Sequence, residues 1–572
     1  MYILGISCYY HDSSATLIKD GRVLAAAQEE RFTRKKHDNS FPVNAICFCL
    51  NECNLNIEDI DYIGFYEKPL IKFERLLFQY LETFPFSLKT FVTSIPSWAT
   101  EKLRLVKTIK KKLKYKKGVI FIDHHTAHAA SCFFLSRFDK AAILTIDGVG
   151  EWTTAAWGVG KNNNIELFQN INFPHSLGLL YSTITAYLGF KVNNSEFKVM
   201  GLAAYGEKNK DKNPYYKKIL KLVDIKKDGS FRLNMSYFAF TYTNKMPSDK
   251  MIELFDGAVD KGGELTKKHK DIAAALQLVT EEIIVKMLNY IHKRTGCDNL
   301  VFAGGVALNS VMNGKILKET GFKEVWIQPD ASDGGGSMGV AAYIYFSILK
   351  NKRKNGLDNI YLGPSFSDGE ILSFLEDKGV EYHEFKDKKE LVGTTANLIF
   401  QNKVVAWFQG RMEWGPRALG SRSILANPCN PEMKNILNNK VKHRESFRPF
   451  APAVCEDDVH QYFDCEKPLS EITYYMLATY PIIPKWRGVI PSVVHVNGTG
   501  RLQAVRKNQN LLYYELIKEF GKLSGVPVLI NTSFNVRGEP IVCSPFDAYS
   551  CMMNTEIDYL VMENFLIKKN NL

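Results

Sequence analysis

Short apolar runs that end on a polar residue or a glycine recur along the first part of the chain. Ile3-Leu-Gly-Ile-Ser7, Gly118-Val-Ile-Phe-Ile-Asp123, Ala141-Ala-Ile-Leu-Thr-Ile-Asp147, Asp298-Asn-Leu-Val-Phe-Ala-Gly304 and Val325-Trp-Ile-Gln-Pro-Asp330 all read as buried strands. Turn residues at Lys19-Asp-Gly21 and Gly160-Lys-Asn-Asn-Asn164 separate further apolar runs and predict two hairpins. Helical periodicity is clearest from Asp271 to Lys293, with Ala, Leu, Val and Ile on one face, and another helix is expected from Ser337. A repeat underlies the pattern. Ile3–Ser7 aligns without a gap on Ile143–Asp147, and Ser13–Ala15 aligns on Thr153–Ala155. The expectation is an α/β domain built from a doubled strand-and-hairpin unit.

The polar residues that close these runs carry the chemistry. His124 and His128 follow one strand at i, i+4 spacing, so on a helix they share a face and can grip one cation. The same spacing also serves plain helix packing. Asp147 ends one buried strand and Asp333 follows another, each beside glycine, where α/β sheets place ligand-binding groups. An aspartate there can equally cap a helix. Together the two imidazoles and two carboxylates suit iron, manganese or zinc. Gly304 and Gly305, between a strand and a helix start that continues to Asn309, can admit a nucleotide to the helix terminus or simply make a tight turn. The doubled β-meander, each copy followed by helices, resembles the two lobes of the actin and sugar-kinase superfamily, which clamp a nucleotide.

A charged, turn-forming stretch near 350–356 marks a linker between domains at 1–349 and 357–572. With 572 residues and 45% hydrophobic content the chain can bury more than one core. Beyond the linker, arginines stand in glycine- and proline-rich turns: Arg411, Arg417 and Arg422, then Lys442 to Arg448, Arg501 and Arg537. Guanidinium forks hold phosphate oxygens bidentately, so a converging group suits a compact dianion, whereas any one alone serves as well in a surface ion pair.

No apolar run is long enough to span a membrane, and Met1-Tyr-Ile-Leu-Gly5 reads as a strand rather than a signal peptide. Eleven cysteines without a CxxC pair point to a reducing, cytoplasmic setting, with Cys47, Cys49 and Cys53 expected in the core. Net charge is +12, but the lysine run from Lys107 to Lys117 reads as a helix with a solvated basic face rather than a nucleic-acid or membrane site. Phe73 to Trp98 reads as core helices, with an acceptor pocket as the sharper alternative.

Five motifs resemble one family across nearly the whole chain. They are His11-Asp-Ser-Ser-Ala15, Gln28-Glu-Glu-Arg-Phe-Thr-Arg-Lys35, Asp123-His-His-Thr-Ala-His128, Ser195-Glu-Phe-Lys-Val-Met-Gly-Leu-Ala-Ala-Tyr-Gly206 and Gly415-Pro-Arg-Ala-Leu-Gly420. The set is similar to the NodU/CmcH O-carbamoyltransferases. The resemblance implies an actin-like metal-binding domain, akin to the proteins of tRNA threonylcarbamoyl-adenosine synthesis, fused to a YrdC-like domain. It implies that carbamoyl phosphate and ATP, with magnesium, form carbamoyl adenylate with release of pyrophosphate. The carbamoyl group would then pass to a hydroxyl of a sugar or natural-product acceptor. On this reading Arg417, Lys442, Arg448, Arg501 and Arg537 hold the anions, and His124, His128, Asp147 and Asp333 hold Fe(II), with manganese or zinc as alternatives. Gly304, Gly305 and Asn309 would face the nucleotide, and His11 would be the general base. No nucleic acid partner is expected. A related RNA-modifying enzyme, a hydrogenase-maturation carbamoyltransferase and a non-enzymatic nucleotide or sugar sensor are the rival readings.

Overall fold

The structure is a computed structural model of the chain and describes residues 1–100, 102–259, 263–353 and 356–569. It divides into two compact units, one of Met1–Glu29 with Asn39–Leu357, the other of Glu30–Asp38 with Asp358–Leu572.

In the first unit, β1 (Tyr2–Ser7), β2 (Ser14–Lys19), β3 (Arg22–Gln28), β4 (Tyr62–Phe65) and β5 (Val119–Phe121) form a sheet of order β3-β2-β1-β4-β5. A second sheet contains β6 (Lys140–Ile146), β7 (Thr153–Lys161) and β8 (Asn164–Asn172). After a small hairpin of β9 (Val223–Ile225) and β10 (Phe231–Leu233), β11 (Asn299–Ala303) and β12 (Glu324–Trp326) complete it, in the order β12-β11-β6-β7-β8. Each sheet is an antiparallel meander of three strands extended by two parallel ones. The two therefore share one topology, which is the duplication that the repeat at β1/β2 and β6/β7 anticipates, and the architecture is the actin and sugar-kinase type. After their first residue β1 and β6 are buried throughout, so both faces are covered and the strands read as unbroken apolar runs.

Helices bring the two sheets' chemistry together. His124–Phe133 follows β5 directly, and Gly336–Tyr343 lies against both this helix and β1. Gly339 permits the approach: a Cβ there would lie 2.0 Å from the Ala127 carbonyl oxygen. The long helix Lys267–Thr295 extends beyond the expected Asp271 to Lys293, because Thr266 and His269 form a capping box and Gly296 closes the other end in the left-handed region.

Two expectations need correction. Helices Pro69–Glu82 and Leu88–Thr100 are not core helices: the first buries Lys72, Arg75 and Tyr80 and turns Phe78 and Leu81 to solvent. Of the three cysteines expected in the core, Cys49 is buried, Cys53 is partly so and Cys47 is exposed, since helix Val43–Asn51 buries one face only. Among the described residues no helix is long and apolar enough to cross a membrane.

The second unit is built on eight strands: β13 (His383–Glu384), β14 (Val405–Phe408), β15 (Arg422–Ala426), β16 (Ala451–Cys455), β19 (Gln503–Val505), β20 (Val528–Ser533), β21 (Tyr559–Met562) and β22 (Phe565–Lys568). Their order is β13-β22-β21-β14-β15-β20-β16-β19, with a separate ribbon of β17 (Tyr480–Pro481) and β18 (Thr499–Gly500). Alternate residues Val405 and Trp407 of β14, and Ala453 and Cys455 of β16, join Leu391 and Ile399 of helix Lys388–Phe400 and Ile517 and Phe520 of helix Leu511–Ser524 in one core. This unit is mixed α/β as well.

The contact at Gly339 yields a prediction. Gly339→Ala should lower stability by about 1–3 kcal/mol, because the helix carrying the histidines must move away. Chemical denaturation with an unshifted midpoint would contradict the close packing described.

Candidate metal centre and cationic site

The ends of β5, β6 and β12 deliver four side chains to one point. His124 and His128 project from the first turns of helix His124–Phe133, Asp147 follows β6, and Asp333 opens the turn into helix Gly336–Tyr343. One ligand atom from each of the four lies within 4.8 Å of all the others, and all four residues are buried. The two Nε2 atoms are 3.1 Å apart. Asp147 Oδ2 lies 3.1 Å from His124 Nε2 and 3.7 Å from His128 Nε2. Asp333 Oδ1 lies 3.6 and 3.5 Å from the same two atoms. Ligands bonded to one ion at about 2.0–2.2 Å stand roughly 3–3.6 Å from each other, so these separations match the edges of a coordination polyhedron.

The surroundings orient each ligand. Asp147 Oδ1 accepts from the Gly305 N–H at 3.0 Å, which leaves Oδ2 to face the imidazoles. Gly304 makes that turn with φ +91°, and a Cβ on it would sit 2.1 Å from the Ile146 carbonyl oxygen. Tyr66 Oη donates to Asp333 Oδ2 at 3.4 Å, and Ser7 Oγ, at the end of β1, donates to the Asp333 carbonyl oxygen at 2.8 Å. Glu151 accepts the His124 N–H through both carboxylate oxygens and the Lys68 N–H through one, placing an anion at the helix amino terminus. The third histidine of the motif is structural. His125 bridges Thr145 Oγ1 and the Thr153 carbonyl oxygen at 2.7 and 2.9 Å, tying the helix to β6 and β7.

Electrostatics at this point are severe. Burial opposes ionisation of Asp147, but hydrogen bonds from His124 and His128 outweigh it and hold its pKa well below the usual carboxylate range. Asp333 is likewise held low, mainly by His11 against its own burial. Burial disfavours the charged form of His128, yet Asp147 and Asp333 raise its pKa to about 9. Asp333 Oδ1 and Nδ1 of both histidines are buried without hydrogen-bond partners among the described residues. Two nitrogen and two oxygen donors with an unpartnered carboxylate oxygen fit a divalent transition-metal ion.

His11 stands beside this group. Its Nδ1 lies 2.9 Å from Asp12 Oδ2 and its Nε2 3.9 Å from Asp333 Oδ2. Burial works against its charge, but Asp333 and Asp12 raise its pKa to about 10. The imidazole is therefore not at the ordinary value that suits a base. A cation on Asp333 and Asp147 would cancel that field and favour the neutral ring. Behind His11, Tyr10 packs 4.7 Å from its ring, and Lys72 Nζ sits 5.0 Å over Tyr10 while pairing with Glu67. Asn309 is buried, exchanges hydrogen bonds with Gln277 at 3.0 and 3.2 Å and caps Met312 N.

In the second unit, Glu413 shapes the loop Gly415-Pro-Arg-Ala-Leu-Gly420 by accepting from the backbone N–H groups of Leu419, Ser421 and Arg422. Arg417 on that loop and Arg501 are half-buried, and each has a buried Nε without a partner. Burial and the charge of Arg448 lower the Arg417 pKa to about 10. Burial, then Arg417, Arg444 and Arg448, push Arg501 well below its usual range. Arg448 thus acts on Arg417, Arg444 and Arg501, and Arg444 joins the expected residues as a further positive charge acting on Arg501. Arg448 also faces Glu445 at 3.9 Å, as does the more exposed Arg537 at 3.5 Å. Lys442 is buried, with its Nζ donating to the Ser533 and Asn535 carbonyl oxygens and to Asn535 Oδ1. Cations of which two keep a buried Nε without a partner among the described residues fit an anion, whereas Lys442 spends its Nζ on protein oxygens.

Not every turn arginine belongs to this group. Arg422 donates to the Gln409, Gly410, Ser421 and Pro364 carbonyl oxygens, and Arg411 donates to those of Leu362 and Gly363. Arg31 donates to the Gly415 carbonyl oxygen, and Arg34 to those of Pro540 and Ile541, which places Glu30–Asp38 within this unit.

The chain thus holds a duplicated α/β unit with a buried four-ligand centre and a second α/β unit with a group of arginines. Residues 2–342 match the family described as Carbamoyltransferase N-terminus and residues 396–569 match Carbamoyltransferase C-terminus, so the chain belongs to the carbamoyltransferase family and is a carbamoyltransferase. An uncharacterised protein of Synechocystis sp. is 46% identical over 99% of this chain and 97% of its own. The nodulation protein NolNO of Sinorhizobium fredii is 35% identical over 98% of this chain and 79% of its own. Among solved structures, component A of (R)-2-hydroxyglutaryl-CoA dehydratase from Acidaminococcus fermentans aligns over 60% of this chain and 98% of its own, at 15% identity and a TM-score of 0.33. HypF of T. kodakarensis aligns over 61% of this chain and 48% of its own, at 14% identity and a TM-score of 0.32.

Substituting one ligand tests the centre directly. His128→Ala or Asp147→Asn should reduce the metal that co-purifies with the protein by at least about tenfold, read by elemental analysis. Unchanged metal content would rule these residues out as ligands.

Proposed function

We propose that the enzyme is an ATP-dependent O-carbamoyltransferase whose second unit makes carbamoyl adenylate and whose first unit transfers the carbamoyl group to a hydroxyl of a sugar or natural-product acceptor. The observation that carries this reading is the convergence of His124, His128, Asp147 and Asp333 beside His11 in a chain of this family. On this reading the activating unit is the stretch 357–572, which Glu30–Asp38 joins, the transferring unit is the rest of 1–349, and both reactions take place in the cytoplasm. ATP enters with magnesium.

Atom balance sets the sequence. Carbamoyl phosphate is hydrolysed to carbamate and phosphate. A carbamate oxygen then displaces pyrophosphate from the α-phosphorus of ATP, and the acceptor hydroxyl finally displaces AMP at the carbamoyl carbon. Arg417, Arg448, Arg501 and Arg537 neutralise the phosphate oxygens as charge builds on the leaving pyrophosphate, with Arg444 adding to the field. Lys442 holds the Ser533–Asn535 segment from which Arg537 follows. In the first unit, His11 accepts the proton of the acceptor hydroxyl at Nε2, and Asp12 fixes the ring through Nδ1. Gly304, Gly305 and Asn309 stand as the nucleotide-facing turn; their support is their place beyond β11, next to Asp147. Iron(II) is the metal best matched to two histidines and carboxylates, and when bound it supplies Lewis acidity toward the carbamoyl group.

The test separates the two units' roles. Pyrophosphate release from ATP should depend on carbamoyl phosphate and fall about a hundredfold in Arg417→Ala. His124→Ala should leave that release within about twofold while abolishing the carbamoyl mass gain on an acceptor, followed by mass spectrometry. A protein that binds ATP yet releases no pyrophosphate with carbamoyl phosphate would be a sensor instead.

A further inference from the structure

Residues 68–117 hold thirteen Lys and Arg against three Glu, which makes +10 of the chain's net +12. The same stretch holds eight of the sixteen large apolar side chains that are exposed among the described residues. Charge and apolar exposure are thus concentrated together in about a tenth of the chain.

The local architecture explains how. Helix Pro69–Glu82 is inverted: Lys72 and Arg75 are 5% exposed, whereas Leu70 and Leu81 are 74% and 73% exposed. Helix Leu88–Thr100 packs on it through the Tyr80–Phe91 and Phe73–Trp98 ring pairs and a 2.7 Å hydrogen bond between Tyr80 Oη and Ser94 Oγ. The connection between the helices displays Phe84 and Phe86, 65% and 75% exposed, and Val92 is exposed beyond it. Helix Leu105–Leu113 buries Leu105 and Ile109 and exposes Val106 with Lys107, Lys110 and Lys111. From Thr83 to Lys117 the sequence has one acidic residue, Glu101.

Against the expectation of a merely solvated basic face for Lys107 to Lys117, we propose that this helical hairpin and the lysine-rich helix after it form a docking surface for an anionic lipid bilayer. Phe84, Phe86 and Leu81 would enter the boundary between headgroups and acyl chains, while the lysines neutralise lipid phosphates. The pairing decides the partner. A nucleic acid would use the lysines and leave the phenylalanines in water. A second copy would cover the apolar side chains only by bringing two lysine-rich surfaces together, which repel. An anionic bilayer satisfies both halves without being spanned by a helix of the described residues. This goes beyond the carbamoyl-transfer reading and stands whether or not that reading holds.

Co-sedimentation of the full chain with vesicles tests it. Binding to vesicles of phosphatidylcholine with phosphatidylglycerol should exceed binding to phosphatidylcholine alone by about tenfold or more, and weaken as salt is raised. The double variant Phe84→Ser, Phe86→Ser, with unchanged charge, should bind the anionic vesicles about tenfold less at an unaltered thermal midpoint. The triple variant Lys107→Gln, Lys110→Gln, Lys111→Gln should also bind less and lose much of the salt dependence. Failure to sediment with anionic vesicles would overturn the proposal. So would RNA binding that persists in the phenylalanine variant while vesicle binding is absent, or a dimer in light scattering that this variant dissociates.

Discussion

Two imidazole nitrogens 3.1 Å apart, each facing the same two buried carboxylates, form an arrangement that protein groups alone satisfy poorly. One carboxylate oxygen there has no partner, and each ion taken from water into a protein interior costs several kcal/mol. A shared cation resolves these conflicts at once, because it replaces repulsion between Asp147 and Asp333 with attraction and accepts both Nε2 lone pairs. The rest of the first unit is arranged around this requirement. Two sheets of identical topology end their strands toward it, Gly304 and Gly339 let backbone come close enough, and Gly305, Tyr66, Ser7 and Glu151 fix ligands or their helix from behind.

The cationic cluster of the second unit poses the complementary problem. Burial, and after it neighbouring guanidiniums, lower the pKa values of Arg417, Arg444 and Arg501, and Arg417 and Arg501 each keep a buried Nε without a partner among the described residues. Such a group is unfavourable as mere structure. By contrast, Arg422 spends both terminal guanidinium nitrogens, and Arg411 its Nε and one terminal nitrogen, on backbone carbonyl oxygens, so they hold loops. On the proposed reading, the phosphate chemistry of carbamoyl transfer would fall to this cluster and the polarising of a carbonyl to the metal centre of the first unit.

Much of this was legible in the sequence because it is written in short-range patterns. The strand ends at Asp147 and Asp333 and the i, i+4 histidines mark their own geometry, and the gapless alignment of Ile3–Ser7 on Ile143–Asp147 reveals the doubled sheet. Glu151, Tyr66 and Lys72 were not legible, since their roles depend on contacts made across the fold and their neighbours in sequence carry no distinctive signal. Arginines in glycine-rich turns look alike in sequence; only the structure shows Arg422 clamping four backbone carbonyl oxygens. The aromatic stretch from Phe73 to Trp98 misled for a different reason. Its periodicity is amphipathic, but the buried side of its first helix is the one with Lys72 and Arg75, so hydrophobicity pointed the wrong way.

Anomalous diffraction from crystals of the purified enzyme, collected on either side of the iron absorption edge, addresses the central claim most directly. The account predicts a single strong peak at bonding distance, about 2.0–2.4 Å, from His124 Nε2, His128 Nε2 and oxygens of Asp147 and Asp333. A peak of another transition metal at the same point would keep the centre and change only its occupant. No peak there after metal supplementation, with the four side chains hydrogen-bonded to one another instead, would contradict it.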